Sequence, residues 1–241
     1  MAKLGKPATR RLTIVGIAVV ALIAWLIFNP SNYRPDPIHA DEPTPTNSEF
    51  LAITILEKLA IKPHYTETKY VRTNFYSNWS TMGGCDMRNI ILKRDLIDTK
   101  LDGCIVLSGT LHDSYTGKTI DFVRGPGTSS AVQIDHIVAL SNAWKTGAYL
   151  LDKEQRKAIS QDPLNLIAVD GPANQQKSDQ DASEWLPPNI AFQCQYVARQ
   201  ISVKFKYVLW VTSTEKSAMS KVLKTCPSEP TVGLEPSATR P

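Results

Sequence analysis

Hydrophobic and polar positions along this chain follow two rhythms, and each change of rhythm marks an element. Phe50, Ile53, Leu56 and Leu59 recur at about helical spacing behind a possible cap at Asn47 or Ser48, which predicts a helix over Ser48 to Ile61. Arg88 to Asp98, with Ile90, Ile91 and Leu96, carries a second helical pattern. Ile105 to Gly109 and Thr119 to Val123 read as strands, and the turn residues Asp113 to Gly117 between them predict a hairpin. A strand is expected over Ala131 to Val138, helices over Ser141 to Leu151 and Lys153 to Ser160, and a short strand over Asn165 to Val169. Pro172 suits the first turn of a helix running to about Ser178. A long helix from Asn189 to Trp210 places Cys194, Val197, Ile201 and Phe205 on one stripe, and Thr212 with Glu215 caps a last helix through Leu223. The mixture of helices and short strands gives an α+β fold.

The two ends read differently. Leu12 to Phe28 is an apolar run behind Lys3, Lys6, Arg10 and Arg11, the layout of an export signal. Bulky Trp25 to Phe28 stand where a cleavage site wants small residues, so residues 1–28 are expected to be an uncleaved signal anchor with the N-terminus inside. Cleavage after Ile38-His39-Ala40 is the alternative, giving a secreted protein. Residues 29–47 are a Pro-rich linker, residues 48–226 the folded domain, and residues 227–241 a Pro/Ser-rich tail expected to lack structure.

Charge changes the picture once it is divided. The formal net charge is +4, but the four cations of the leader account for it, since 27 − 4 leaves 23 basic against 23 acidic residues. A nucleic-acid ligand must then be held by a local patch or a metal ion, because no strongly basic surface exists to do it. Export also bears on Cys85, Cys104, Cys194 and Cys226, an even set bound for an oxidising compartment. Three pairings are possible, and the expected one is nearest-neighbour, Cys85–Cys104 and Cys194–Cys226. A zinc site is disfavoured, because there is no CxxC spacing and no His near a Cys.

The chemistry concentrates between Gln133 and Lys177. One of the four histidines, His136, directly follows a carboxylate, Asp135, inside an Ile/Val run. Adjacent strand residues point to opposite faces, so one strand offers a carboxylate on one side and an imidazole on the other. Asn165 and the Asn174-Gln175-Gln176-Lys177 run follow. Cleavage of a phosphodiester needs a base near neutral pKa, which His supplies, and positive charge at the phosphate, which a metal supplies. Carboxylate and amide oxygens are hard ligands, suited to Mg2+ or Mn2+.

Asp135-His136, Asn165 and Asn174 to Lys177 resemble the ββα-metal motif of the HNH (His-Asn-His) endonuclease superfamily. Tyr70-x-Arg72-x-x-Phe75, Cys85-Asp86-x-Arg88-Asn89, Ala143-Trp144, Lys177-x-Asp179 and Trp185 to Pro188 are similar to a secreted bacterial branch. That branch is related to the C-terminal nuclease domain of modification-dependent restriction enzymes. The resemblance covers about residues 70–226. It implies a ββα-metal core embedded in helices, with an extra hairpin. It further implies Asp135 and Asn174 as metal ligands, His136 as general base, Asn165 as the residue orienting base and turn, and Lys177 as a phosphate contact. The family's final His is Asn174 here, and the Gly it often has after the lysine is Ser178.

Arg88 and Arg124 are candidate substrate contacts, although Arg88, Arg94 and Asp95 fit a structural ion-pair cluster equally well. His39, His64 and His112 have no supporting residues, and Trp144, Trp185 and Trp210 are expected in the core. The expected function is a metal-dependent endonuclease, monomeric and outside-facing, cutting DNA with low sequence specificity. The alternatives are a non-catalytic extracellular nucleic-acid-binding module and a cell-envelope structural protein.

Overall fold

The Asp-His step lies on a strand that pairs with a partner far along the chain, and the rest of the domain is arranged around that pair. The computed structural model describes residues 50–76 and 78–234. The expected anchor and linker, residues 1–47, lie outside the described residues. Among those described, no helix is long and apolar enough to cross a membrane.

The elements in chain order are α1 (Ala52–Lys58), β1 (Thr81–Met82), β2 (Cys85–Asp86), α2 (Met87–Asp95), β3 (Leu96–Asp102), β4 (Ile105–His112), β5 (Thr119–Val123) and β6 (Val132–His136). They continue with α3 (Leu140–Lys145), α4 (Lys153–Gln161), β7 (Leu166–Asp170), α5 (Gly171–Lys177), α6 (Ile190–Lys206) and α7 (Ser213–Leu223). Strands β3, β4 and β5 form an antiparallel meander, and β1 pairs with β2. Strands β6 and β7 pair antiparallel, with Asp135 opposite Ile167 and His136 opposite Leu166. Helices α3 and α4 fill the interval between β6 and β7, and α5 follows β7 directly. The expected α+β order of strand, insertion, strand and helix is present.

Sequence and structure differ most at the boundaries of three elements. Arg88 to Asp98 was expected to be helical throughout, but α2 ends at Asp95 and Leu96 begins a strand. In that strand only Leu96 is buried, so no alternation of apolar and polar residues announces it. The expected helix from Ser141 to Leu151 breaks after Lys145, where Gly147 takes φ 130° under the Trp210 ring. The long helix stops at Lys206, and Phe205 at its end is exposed instead of joining the buried stripe of Val197 and Ile201.

Strand β7 joins two cores. Leu166 and Ala168 face a cluster with Ile91, Leu92, Val106 and Phe122, while Ile167 and Val169 face one with Leu56, Tyr196, Val197 and Ile201. A third cluster gathers Phe75, Val138, Trp144, Ile159 and Val203. Trp144, Trp185 and Trp210 are all buried, as expected. Both disulfides pair nearest neighbours, Cys85–Cys104 with Cα atoms 5.3 Å apart and Cys194–Cys226 at 6.4 Å. The stretch after Cys226 begins with ordered residues. Pro230 bridges to Leu51, and the Thr231 amide donates to the Phe50 carbonyl at 2.7 Å.

Candidate active site

Strand β6 and helix α5 deliver three of the expected residues to one cleft. Asp135, His136 and Asn174 line a cavity of about 290 Å³ together with Tyr70, Arg72, Ser141, Ser178 and Asp179. Helix α5 is seated close to β6 by Gly171, where a Cβ would lie 2.2 Å from the Ser130 carbonyl oxygen. Asp170 caps this helix, its carboxylate accepting from the Ala173 amide at 2.8 Å.

His136 is nine-tenths buried, and its Nε2 lies 2.9 Å from the Ser160 carbonyl oxygen. A carbonyl only accepts, so Nε2 carries the proton and the neutral ring keeps its lone pair on Nδ1. No described residue bonds Nδ1. Burial pushes the imidazole pKa down to about 4, with the Ser160 carbonyl and Asp135 opposing it in part. At neutral pH the ring is therefore the uncharged base. Trp79 stacks on it with centroids 6.1 Å apart and planes 13° apart, and Tyr76 lies at 6.1 Å.

Asp135 is gripped from behind. Its Oδ2 accepts the Tyr115 hydroxyl at 2.6 Å and lies 2.9 Å from the Lys177 ammonium. Its Oδ1 is bonded by no described residue, and Asp135 lines the cleft. Tyr115 is fully buried, and burial together with the Asp135 charge raises its pKa well above the ordinary value, so it stays a donor. The turn that carries Tyr115 is pinned to β7, since Asp113 accepts from the Asp170 amide at 2.9 Å. Asn174 donates through Nδ2 to Gln133 Oε1 at 2.8 Å, which leaves its own carbonyl oxygen unspent. Asp135 and Asn174 thus line the same cleft as the neutral imidazole, each with one side-chain oxygen that no described residue bonds. This donor set fits a Mg2+ or Mn2+ ion.

Asn165 stands behind the cleft and is fully buried. It accepts from the Val138 amide at 2.8 Å and donates to Val138 and Ile159 carbonyls at 3.3 and 3.2 Å. It therefore ties the loop after His136 to the residue preceding Ser160, and acts on the base through backbone.

Three expected substrate contacts sit elsewhere. Lys177 is fully buried, and its ammonium reaches Asp135 and the His136 carbonyl at 2.9 Å, so it cannot meet phosphate. Arg88 points to the Ser129 and Val132 carbonyls, and burial lowers its pKa. Arg124 is spent on the Val106 carbonyl at 2.7 Å and Asn89 Oδ1 at 2.6 Å. Arg94 and Asp95 form an ion pair at 2.6 Å that anchors α2 to β7. Among the described residues the cluster of His, Cys, Asp or Glu with metal-ligand spacing is Cys194, Cys226 and Glu229, away from the cleft, and its sulfurs are locked in the disulfide. The cation that does line the cleft is Arg72, exposed and lying over the Tyr76 ring at 5.0 Å. Sequence flagged Arg72 only as part of a flanking motif, and Tyr115 only as a turn residue.

The strand pair, the helix behind it and the buried imidazole define a nuclease-like domain of the HNH-related type. Residues 86–222 match the family described as GmrSD restriction endonucleases, C-terminal domain, and the chain belongs to that family. A protein of Arthroderma benhamiae described as an uncharacterized secreted protein is 39% identical over 193 residues, covering 78% of this chain and 91% of its own length. No solved structure matches the chain.

Proposed function

We propose that this chain is a metal-dependent endonuclease that hydrolyses phosphodiester bonds, with DNA as substrate and low sequence specificity, acting outside the cell. The observation that carries the reading is the neutral His136 ring, its Nδ1 unspent, beside two unspent oxygen donors in one cleft. Membership of a restriction-endonuclease domain family supports the reaction class, and the relative described as secreted supports export.

His136 Nδ1 takes a proton from water, and the oxygen attacks phosphorus in line. The bond to the 3′ oxygen breaks and a 5′-phosphate remains. Asp135 and Asn174 would hold the divalent ion, whose charge offsets that developing on the phosphate and the departing oxygen. Arg72 adds a second positive charge at the mouth of the cleft. Tyr115 and Lys177 keep the Asp135 carboxylate turned toward it.

Supercoiled plasmid incubated with the protein and Mg2+ or Mn2+ is expected to be nicked, and EDTA to stop it. The His136→Ala variant should lose about 10²- to 10⁴-fold in rate while its thermal melt stays cooperative. Nicking by that variant at the wild-type rate would refute the assignment. Plasmid binding without nicking by the wild type would favour a silent binding module.

A further inference from the structure

A second groove is lined by the aromatic pair that packs against His136. It has a volume of about 500 Å³ and is lined by Thr73, Tyr76, Asn78, Trp79, Lys153 and Lys157 among others. Tyr76 and Trp79 lie 5.4 Å apart, and each also lies 6.1 Å from the His136 ring. The pair therefore lines the groove and packs against the His136 ring, which lines the cleft. The second groove does not contain the base or either oxygen donor.

Its walls are fastened to each other. Arg156 of α4 donates to the Asn74 carbonyl at 2.9 Å, and Gln161 of α4 accepts from the Ser80 amide at 2.9 Å. On the same helix, Lys153 and Lys157 stand four residues apart on one face. Both are exposed, and neither joins an ion pair among the described residues. Trp79 and Tyr76 are half-buried and both line the groove, with Arg72 lying over the Tyr76 ring.

Aromatic faces with cations along one side match a nucleic-acid strand whose bases are unstacked. A duplex keeps its base faces covered and offers such a wall nothing to stack on. We propose that this groove binds an unpaired nucleic-acid strand continuing from the cleft, with a base on the Tyr76–Trp79 pair and phosphates on Lys153 and Lys157. The proposal rests on the nuclease reading of the cleft and narrows its substrate to a strand that is locally single. It also answers the neutral overall charge, because affinity comes from one short track.

The test measures binding of labelled oligonucleotides by anisotropy in EDTA, with the whole chain, so that catalysis plays no part. The probes are single-stranded DNA, single-stranded RNA and a DNA duplex of one sequence. The wild type should bind a single strand more tightly than the duplex, and the arm that binds identifies the sugar. Lys153→Glu/Lys157→Glu should weaken that binding about tenfold and flatten the salt slope by about 1.4, two phosphates at about 0.7 each. Lys100→Glu/Lys118→Glu, on the exposed β3–β5 meander, makes the same charge change and should bind as wild type. Equal loss in both variants, an unchanged slope for the first, or duplex binding as tight as single-strand binding overturns the proposal. Nicking without lysine-dependent strand binding would sink the groove alone. Lysine-dependent strand binding without nicking would leave the groove standing and remove the hydrolase.

Discussion

At the end of α5 the backbone turns through a conformation that L residues rarely adopt, with Ser178 at φ 52° and ψ −125°. Glycine reaches this region freely, which explains why the resembled family often has glycine after the lysine. Ser178→Gly should raise stability by about 1 kcal/mol, the relieved strain exceeding the added freedom of the unfolded chain. A urea midpoint at or below that of the wild type would contradict this. The neighbouring Lys177 has the opposite character. Its buried ammonium is the counter-charge of Asp135, so Lys177→Met leaves a nine-tenths-buried carboxylate with only the Tyr115 hydroxyl. Breaking one side of such a pair costs about 3 kcal/mol. A denaturant midpoint unmoved by Lys177→Met would show that Asp135 is solvated in a way the pairing denies. Lys177 was legible as important from its spacing behind Asn174. Its role was not, because periodicity cannot say which face of a two-turn helix is covered.

Among the elements, those with local signals were readable and those defined by partners were not. The capping box of α7 is formed as Thr212 and Glu215 suggested, and Pro172 sits in the first turn of a helix that begins at Gly171. Strand β3 escaped notice because its neighbours, not its own alternation, make it a strand. Tyr115 escaped because it reaches Asp135 across 20 residues of sequence, through a turn whose residues encode only the turn. Arg124 looked like a phosphate contact because it precedes Gly125 and Gly127, and Arg88 read equally well as a DNA-facing cation or as part of an ion-pair cluster. Here the Ser129, Val132 and Val106 carbonyls and the Asn89 side chain absorb them. The join of β6 to α5 is the element the site depends on most. Gly171→Ala would drive a methyl into the Ser130 carbonyl at 2.2 Å, backbone against backbone, with no flexible atom to yield. The helix must move away from the strand, at a cost of about 2 kcal/mol. Plasmid nicking should then fall more than the melting temperature alone explains, because Asn174 moves with the helix. Full nicking activity in that variant would mean that Asn174 is not needed beside Asp135.

On the scale of the whole molecule, three separate cores must be held in register for one cleft. The two disulfides act on different parts of that problem. Cys85–Cys104 ties the strand before α2 to the turn between β3 and β4, whereas Cys194–Cys226 ties α6 to the end of α7 beside the helical core. Their loops span sequence separations of 19 and 32 residues, so loop-closure entropy assigns each about 3 to 4 kcal/mol, slightly more for the second. None of the four cysteines lines the cleft. Cys194→Ser/Cys226→Ser should therefore lower the unfolding free energy by about 4 kcal/mol while leaving the nicking rate, measured well below the melting temperature, close to that of the wild type. The bridge acts on the unfolded chain, and the folded cleft does not sense its removal as long as α6 stays seated through Val197 and Ile201. A variant that melts as the wild type does would place the stabilisation elsewhere. One that stays folded yet stops nicking would show that the helical core, through β7, sets the geometry of the base.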